Sequence, residues 1–83
     1  MKHSAKIEVS LKPGHSNPEG ETIARLLKEL GYNVQAVDVS KVYTVALEAP
    51  TLQEAKGKAE EMSKRLLANP TKDNYTITVE EQK

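Results

Sequence analysis

The chain has 83 residues, with 12 basic and 12 acidic side chains and no net charge. That length fits one small domain, residues 1–83. The charges are spread evenly, because residues 1–41 carry six basic and five acidic groups and residues 42–83 carry six and seven. There is no basic half, which disfavours a nucleic-acid footprint that depends on bulk electrostatics. Cysteine is absent, which excludes disulfides, thiol catalysis and cysteine-ligated zinc.

The apolar segments are short. Residues 42–47 form an uncharged run that is far too short to span a bilayer. The beginning, Met1-Lys2-His3, leads into a polar strand rather than an apolar signal core. We therefore expect a soluble, cytoplasmic domain. A domain of this size buries only about 60% of the surface of its unfolded chain, so self-association, as a homodimer or a higher oligomer, is the expected reinforcement. A folded monomer in sedimentation at low micromolar concentration would contradict it.

The first predicted strand covers residues 5–12, in which apolar side chains alternate with charged or hydroxyl ones. The apolar members are Ile7, Val9 and Leu11. A period of two predicts a strand with one buried face. Residues 13–20 then gather two of the four prolines and two of the four glycines, which predicts a loop.

The first predicted helix follows this loop. Asn17 is placed to cap it, with Pro18 in the first position, where a missing N–H costs nothing. The apolar side chains recur at i, i+3, i+4 and i+7 and form one stripe, made of Ile23, Leu26, Leu27 and Leu30. Gly31 ends the helix as a residue free to take positive φ.

Two strands rich in β-branched residues are predicted at residues 34–39 and 42–49. Ser40-Lys41 between them suggests a tight hairpin, although it lacks the glycine that favours such turns.

The second predicted helix begins at a capping box, Thr51-Leu52-Gln53-Glu54. Its apolar stripe consists of Leu52, Ala55, Ala59, Met62 and Leu66. Asn69-Pro70 ends the helix, because proline disfavours helical geometry in the residue before it. A last strand is predicted from the alternation of Tyr75, Ile77 and Val79 with polar residues.

The predicted order is β-α-β-β-α-β, and every element has one apolar face. This favours an α+β fold, a two-layer sandwich of ferredoxin-like type with two helices on one face of a four-stranded antiparallel sheet. Right-handed crossovers give the strand order 4-1-3-2. The loops at 12–20 and 68–75 then lie at the same end of the sheet. The uncovered sheet face carries small or β-branched residues, and the pattern leaves open whether it meets water or a partner.

No group in the sequence is placed for catalysis or metal binding. The histidines His3 and His15 are twelve residues apart, and no carboxylate is spaced to complete a metal site. A free amino terminus with histidine in third place can hold Cu(II), but a frayed terminus explains His3 more simply. His15 lacks a nucleophile or an orienting partner and is expected in a surface loop. We expect no catalytic residue, no metal and no cofactor.

Two Asn-Pro loops in register with the helices carry a family resemblance. They are Leu11-Lys12-Pro13-Gly14-His15-Ser16-Asn17-Pro18-Glu19-Gly20 and Leu66-Leu67-Ala68-Asn69-Pro70, and they occur together with Leu30-Gly31-Tyr32 and Asp73-Asn74-Tyr75. On these residues the chain resembles, from about residue 6 to residue 81, the PurS subunit of phosphoribosylformylglycinamidine synthase.

The resemblance implies a subunit of an enzyme that makes an amidine from formylglycinamide ribonucleotide in purine biosynthesis, consuming ATP and glutamine. In the multi-subunit form, a synthetase subunit activates the amide oxygen and a glutaminase subunit releases ammonia. The small subunit is non-catalytic and, as a dimer, joins the two and helps ammonia to pass. Free ammonia would be protonated and lost in bulk water, so one sealed assembly is needed.

We predict that residues 12–20 and 68–75 form a rim that contacts a partner subunit. The predicted contact residues are Lys12, Asn17, Asn69 and Tyr75. Proline fixes the shape of both loops beforehand, which lowers the ordering cost of binding. Helix capping by itself explains an asparagine at positions 17 and 69, so both roles stay open there.

The alternative function is a small-molecule-sensing regulatory domain of the same ferredoxin-like topology. A metabolite that raises the melting temperature of the isolated protein would favour the sensor, and stabilisation by protein partners alone would favour the bridging subunit. RNA binding predicts salt-dependent retention on RNA, which the neutral charge disfavours.

Overall fold

The computed structural model describes residues 1–15 and 17–82; Ser16, inside the predicted loop, and Lys83 lie outside the described residues. The elements are β1 (Lys2–Leu11), α1 (Pro18–Glu29), β2 (Lys41–Glu48), α2 (Leu52–Met62), a π-helical turn (Ser63–Leu67) and β3 (Asp73–Glu81). The three strands form one antiparallel sheet in the order β2-β1-β3. The α2 helix packs on β1 and β3. The helix layer and the antiparallel pairing of the strands confirm the predicted α+β class and antiparallel sheet.

The predicted strand at residues 34–39 is not part of the sheet. This segment lies against α1 instead. The Val37 carbonyl approaches Gly20 so closely that a Cβ at Gly20 would overlap its oxygen, and the Asn17 side-chain amide donates to the Val39 carbonyl at 3.4 Å. The strand order matches the predicted 4-1-3. In the described residues, however, the second strand of the predicted ferredoxin-like layout is missing from the sheet, and the hairpin predicted at Ser40-Lys41 does not form.

The core lies between α2 and the inner face of the sheet. At its centre Ile7 is fully buried on β1, directly between Tyr43 of β2 and Ile77 of β3. The other buried members of this cluster are Ala5, Val9, Ala59 and Ala68. Small side chains on α2 let the helix approach the sheet closely, and half-buried aliphatic and tyrosine side chains complete the packing.

The outer sheet face is uncovered, as predicted. On it, Lys6 of β1 lies opposite Thr44 and Thr78, and all three side chains are exposed. An antiparallel sheet tolerates water on one face.

Both ends of α1 are as predicted. Asn17 is the N-cap, with its Oδ1 accepting a hydrogen bond from the Gly20 N–H at 3.1 Å. Gly31 has a φ of 98°, and the N–H groups of Gly31 and Tyr32 donate to the carbonyls of Lys28 and Leu27. These two hydrogen bonds close the helix at Gly31, whose positive φ only glycine adopts without strain.

The apolar stripe of α1 is not in the core, although one apolar face per helix predicted it there. Leu26 is 48% exposed and Leu30 is 74% exposed. Among the described residues, the core and the side chains packed on it include none from α1. Residues 17–40, which we call the arm, leave the sheet after β1 and return to it at β2.

The π-helical turn shifts the face that α2 presents to the sheet. The Ala68 N–H donates to the Ser63 carbonyl at 2.9 Å, five residues back, and the buried Ser63 hydroxyl donates to the Ala59 carbonyl. The wider turn rotates the following residues, so Leu67 packs on the core while Leu66 is 82% exposed. The prediction that Leu66 continues the inward stripe is therefore wrong.

His3 is buried, which corrects the expectation of a frayed terminus. It belongs to β1, points to the same side as Ala5 and Ile7, and has no exposed surface. Across the described part of the chain, neither of its ring nitrogens has a hydrogen-bond partner. A buried polar group without a partner lowers stability, because its desolvation is not compensated.

We expect His3→Leu to raise the free energy of unfolding by about 1–2 kcal/mol, because leucine fills a similar space and leaves no polar atom unpaired. Urea denaturation at fixed protein concentration measures this change. The control is His15→Leu, which alters an exposed loop residue and should change stability by less than about 0.5 kcal/mol. A clear loss of stability in His3→Leu would show that the imidazole has a partner.

Candidate partner-binding site

The two Asn-Pro loops meet at one end of the sheet, as predicted. The Lys12 backbone N–H donates to the Lys72 carbonyl at 2.7 Å, and the Lys12 ammonium donates to the Pro70 carbonyl at 3.0 Å. One lysine thus ties the loop after β1 to the loop before β3. A hydrogen bond from a charged donor is stronger than a neutral one, so Lys12 holds the rim together as well as lying on it.

Asn17 lies at the inner side of this rim and is half-buried. Its Oδ1 caps α1, and its amide nitrogen donates to the Val39 carbonyl. Both polar atoms of the side chain therefore have partners within the chain, and Asn17 joins the two ends of the arm.

Asn69 orders its own loop. Its Oδ1 accepts a hydrogen bond from the Thr71 N–H at 2.9 Å, which is an Asx turn around Pro70. Its backbone N–H donates to Oδ2 of Asp73 at 2.8 Å, and the Asp73 N–H donates back to the Asn69 carbonyl. The helical C-cap is Ala68 rather than Asn69. Sequence reasoning missed Asp73, although its place four residues after an asparagine in an Asn-Pro turn was a usable signal.

Tyr75 lies beneath the rim, on the helix-facing side of β3. Its ring is half-buried against the core, and its hydroxyl donates to Oε1 of Glu60 on α2 at 3.4 Å. The same Glu60 oxygen lies 3.4 Å from the Lys64 ammonium. The structure thus places Lys12, Asn17 and Asn69 on the rim and Tyr75 against α2, beneath it.

Two open cavities flank the rim. One has a volume of about 470 Å³ and lies on the inner side, between Asn17, Tyr43, Leu67 and Asp73. The other has a volume of about 450 Å³ and includes Lys12, Pro13 and the exposed His15. In residues 1–15 and 17–82, no group of three or more His, Cys, Asp or Glu side chains could hold a metal ion. Over the same residues, no helix has the length and apolar character needed to cross a membrane.

Together these features define a small α+β protein with a hydrogen-bonded loop rim at one end of its sheet. Solved structures share this fold. PurS from Methanocaldococcus jannaschii superposes with a TM-score of 0.86 at 39% identity, covering 98% of this chain and 99% of that one. PurS from Thermus thermophilus gives 0.89 at 34% identity over the full length of both chains. A chain of the PurLQS structure from Thermotoga maritima gives 0.87 at 26% identity, covering 96% and 99%.

Sequence comparison leads to the same family. The family model PurS, described as phosphoribosylformylglycinamidine (FGAM) synthase, matches residues 4–81. The phosphoribosylformylglycinamidine synthase subunit PurS of Methanothermobacter thermautotrophicus is 36% identical over 81 residues, which is 98% of this chain and 96% of the relative. The subunit of the same name from Methanocaldococcus jannaschii is 42% identical over 79 residues, covering 94% and 95%. The chain therefore belongs to the PurS family of FGAM synthase subunits, which confirms the resemblance.

Proposed function

We propose that the chain is the non-catalytic small subunit of phosphoribosylformylglycinamidine synthase in de novo purine biosynthesis, working in the cytoplasm as a single domain, residues 1–83. As a homodimer it joins the synthetase subunit to the glutaminase subunit and assists the transfer of ammonia between them. Family membership supports the enzyme assignment. The likeness to a chain of the PurLQS structure supports a role inside a complex.

The bridging part of the proposal rests on one observation, the hydrogen bonds within the rim. Lys12 ties the first loop to Pro70 and Lys72 of the second loop. The second loop is closed internally by the hydrogen bonds between Asn69 and Asp73. A surface whose shape is set before binding loses less conformational entropy when a partner docks. Such a rim suits a subunit that acts by holding two other subunits in register.

The test is reconstitution with the synthetase and glutaminase subunits from the same source. Activity is measured with glutamine and, separately, with an ammonium salt as the nitrogen donor. Omission of this chain should abolish the glutamine-driven reaction and leave the ammonia-driven reaction of the synthetase. Equal glutamine-driven activity with and without the chain would refute the bridging role.

The rim is tested with Lys12→Ala, which removes the ammonium group bonded to Pro70. We expect the dissociation constant for at least one partner subunit to rise about tenfold, since the loosened rim must then be ordered on binding, and an ordering cost on the order of 1.5 kcal/mol is about a factor of ten. Lys56→Ala is the matched control, because Lys56 is exposed on α2, away from the rim. Titration calorimetry measures both variants. Equal affinity of Lys12→Ala and the unaltered chain for both partners would remove Lys12 from the contact surface.

A further inference from the structure

A cavity of about 460 Å³ lies within the arm, on the polar side of α1. One wall consists of four helix residues that recur at i, i+3, i+4 and i+7, namely Glu21, Ala24, Arg25 and Lys28. This spacing places them in one row along the helix. At about 100° of rotation per residue, the row lies on the side of α1 opposite the apolar stripe. A surface that covers the stripe therefore does not fill the cavity.

The second wall is formed by residues 35–38 and is held in place by two contacts with the start of α1. The Val37 carbonyl approaches Gly20 closely, and the Val39 carbonyl accepts a hydrogen bond from the Asn17 amide at 3.4 Å. These contacts make the segment run antiparallel to the helix. Because both walls are fixed beforehand, a ligand pays little to order them.

The cavity has an acidic end and a basic end. Asp38 lies in the part of the second wall that contacts the start of α1, and Glu21 lies in the first turn of that helix. The exposed His15 also borders this end. Arg25 and Lys28 lie about 6 and 10 Å further along the helix axis than Glu21. Two carboxylates thus face one part of the cavity, and a guanidinium and an ammonium group face the other.

These four charged groups are not neutralised inside the described chain. In residues 1–15 and 17–82, the one salt bridge joins Lys64 to Glu60, and no side-chain hydrogen bond involves any of the four groups. All four side chains are exposed, so a ligand can reach each of them. A charged group without a partner can form a charge-assisted hydrogen bond with a ligand group of opposite sign.

We propose that this cavity binds an α-amino dicarboxylic acid, with glutamate as the representative ligand. Glu21 and Asp38 hold its α-ammonium group. Arg25 binds the α-carboxylate, because the planar guanidinium matches two carboxylate oxygens, and Lys28 pairs with the side-chain carboxylate. Every charge of the ligand then faces a charge of opposite sign. A simple carboxylate or a simple ammonium ion leaves one end of the cavity unmatched.

The site goes beyond the bridging role and is compatible with it. Hydrolysis of the side-chain amide of glutamine by water gives ammonia and glutamate, which is an acid of this class. A subunit that lies beside a glutaminase therefore meets this ligand where it is released, and this link rests on the proposed function. The binding itself is a property of the isolated chain.

NMR titration of the isotope-labelled chain tests the site, because backbone amide shifts report which residues a ligand contacts. At constant ionic strength, glutamate should shift the amides of residues 20–28 and 35–38, with a dissociation constant of about 1 mM or lower. Glutarate lacks the ammonium group, and glutamine lacks the side-chain carboxylate. Each should bind at least about tenfold more weakly, since each loses a charged contact.

The matched variants are Arg25→Gln and Arg65→Gln, which remove the same exposed charge inside and outside the cavity. Arg25→Gln should raise the dissociation constant for glutamate at least about tenfold, with an unchanged circular dichroism spectrum. Arg65→Gln should leave the dissociation constant unchanged.

Three results would overturn the proposal. They are equal shifts with glutamate and with sodium chloride at one ionic strength, equal affinity for glutamate and glutarate, and unchanged affinity in Arg25→Gln. The first would reduce the effect to charge screening, and the others would remove the ammonium or the guanidinium contact. All these measurements use this chain alone, so they can fail while reconstitution with the partner subunits succeeds, and the reverse.

Discussion

Ile7→Ala is expected to lower the free energy of unfolding by about 3–4 kcal/mol. Ile7 is fully buried on the central strand and touches both neighbouring strands and α2 across the core. Removing its outer carbons loses their transfer free energy and leaves a cavity, and such changes typically cost 2–5 kcal/mol. Domains of this size have a total stability of only about 4–12 kcal/mol, so the variant should unfold at a much lower urea concentration.

Urea denaturation measures the effect, with protein concentration held constant because association adds to the apparent stability. The matched control is Val42→Ala, which removes aliphatic carbons from a side chain that is 59% exposed. It should change the free energy by no more than about 0.5 kcal/mol. A decrease in the free energy of unfolding of less than about 1 kcal/mol for Ile7→Ala would show that Ile7 is not at the centre of the core.

Local signals in the sequence predicted most of the elements, because each has a short-range cause. Asn17 caps α1, Thr51 caps α2 through the Glu54 N–H, and Gly31 closes α1 at positive φ. These interactions need only residues close in the chain. The alternation along β1 predicted its buried face for the same reason, although the strand begins at Lys2 rather than Ala5.

The errors concern which element packs on which. The stripe on α1 was predicted in the core because an apolar face indicates burial, but the pattern does not say which surface covers it. Leu66 was misplaced because ideal helical spacing was continued through a turn that is π-helical in the structure. No pattern of single residues marks such a turn. His3 was misjudged from its position near the terminus, although it shares the strand alternation of Ala5 and Ile7.

For the predicted site, too, the position of the loops differs in outcome from the individual contact residues. The shared position of the two Asn-Pro loops followed from topology, and the structure confirms it through Lys12. The four contact residues remain predictions, and Tyr75 is the weakest of them, because its hydroxyl is bonded to Glu60 beneath the rim. The alternation of the last strand already predicted that the Tyr75 side chain faces inward.

Gly20→Ala is expected to destabilise the arm, although alanine is the better helix former. In a helix interior the change from glycine to alanine ordinarily gains up to about 1 kcal/mol. Here the new Cβ would overlap the backbone carbonyl of Val37, and a backbone oxygen cannot rotate away as a flexible side chain does. Overpacking typically costs 1–3 kcal/mol, so the clash outweighs the gain and residues 33–39 should separate from α1.

Limited proteolysis with thermolysin detects that separation, because the enzyme cleaves before large apolar residues and the segment offers Val34, Val37 and Val39. We expect cleavage there to be several times faster in Gly20→Ala than in the unaltered chain, while the buried β1 strand stays intact. Gly57→Ala is the matched control, since a Cβ at Gly57 in α2 meets no atom within 4 Å beyond its own stretch of helix backbone. It should raise the free energy of unfolding by about 0.5–1 kcal/mol. Equal cleavage rates in both variants would mean that residues 33–39 do not rest on α1.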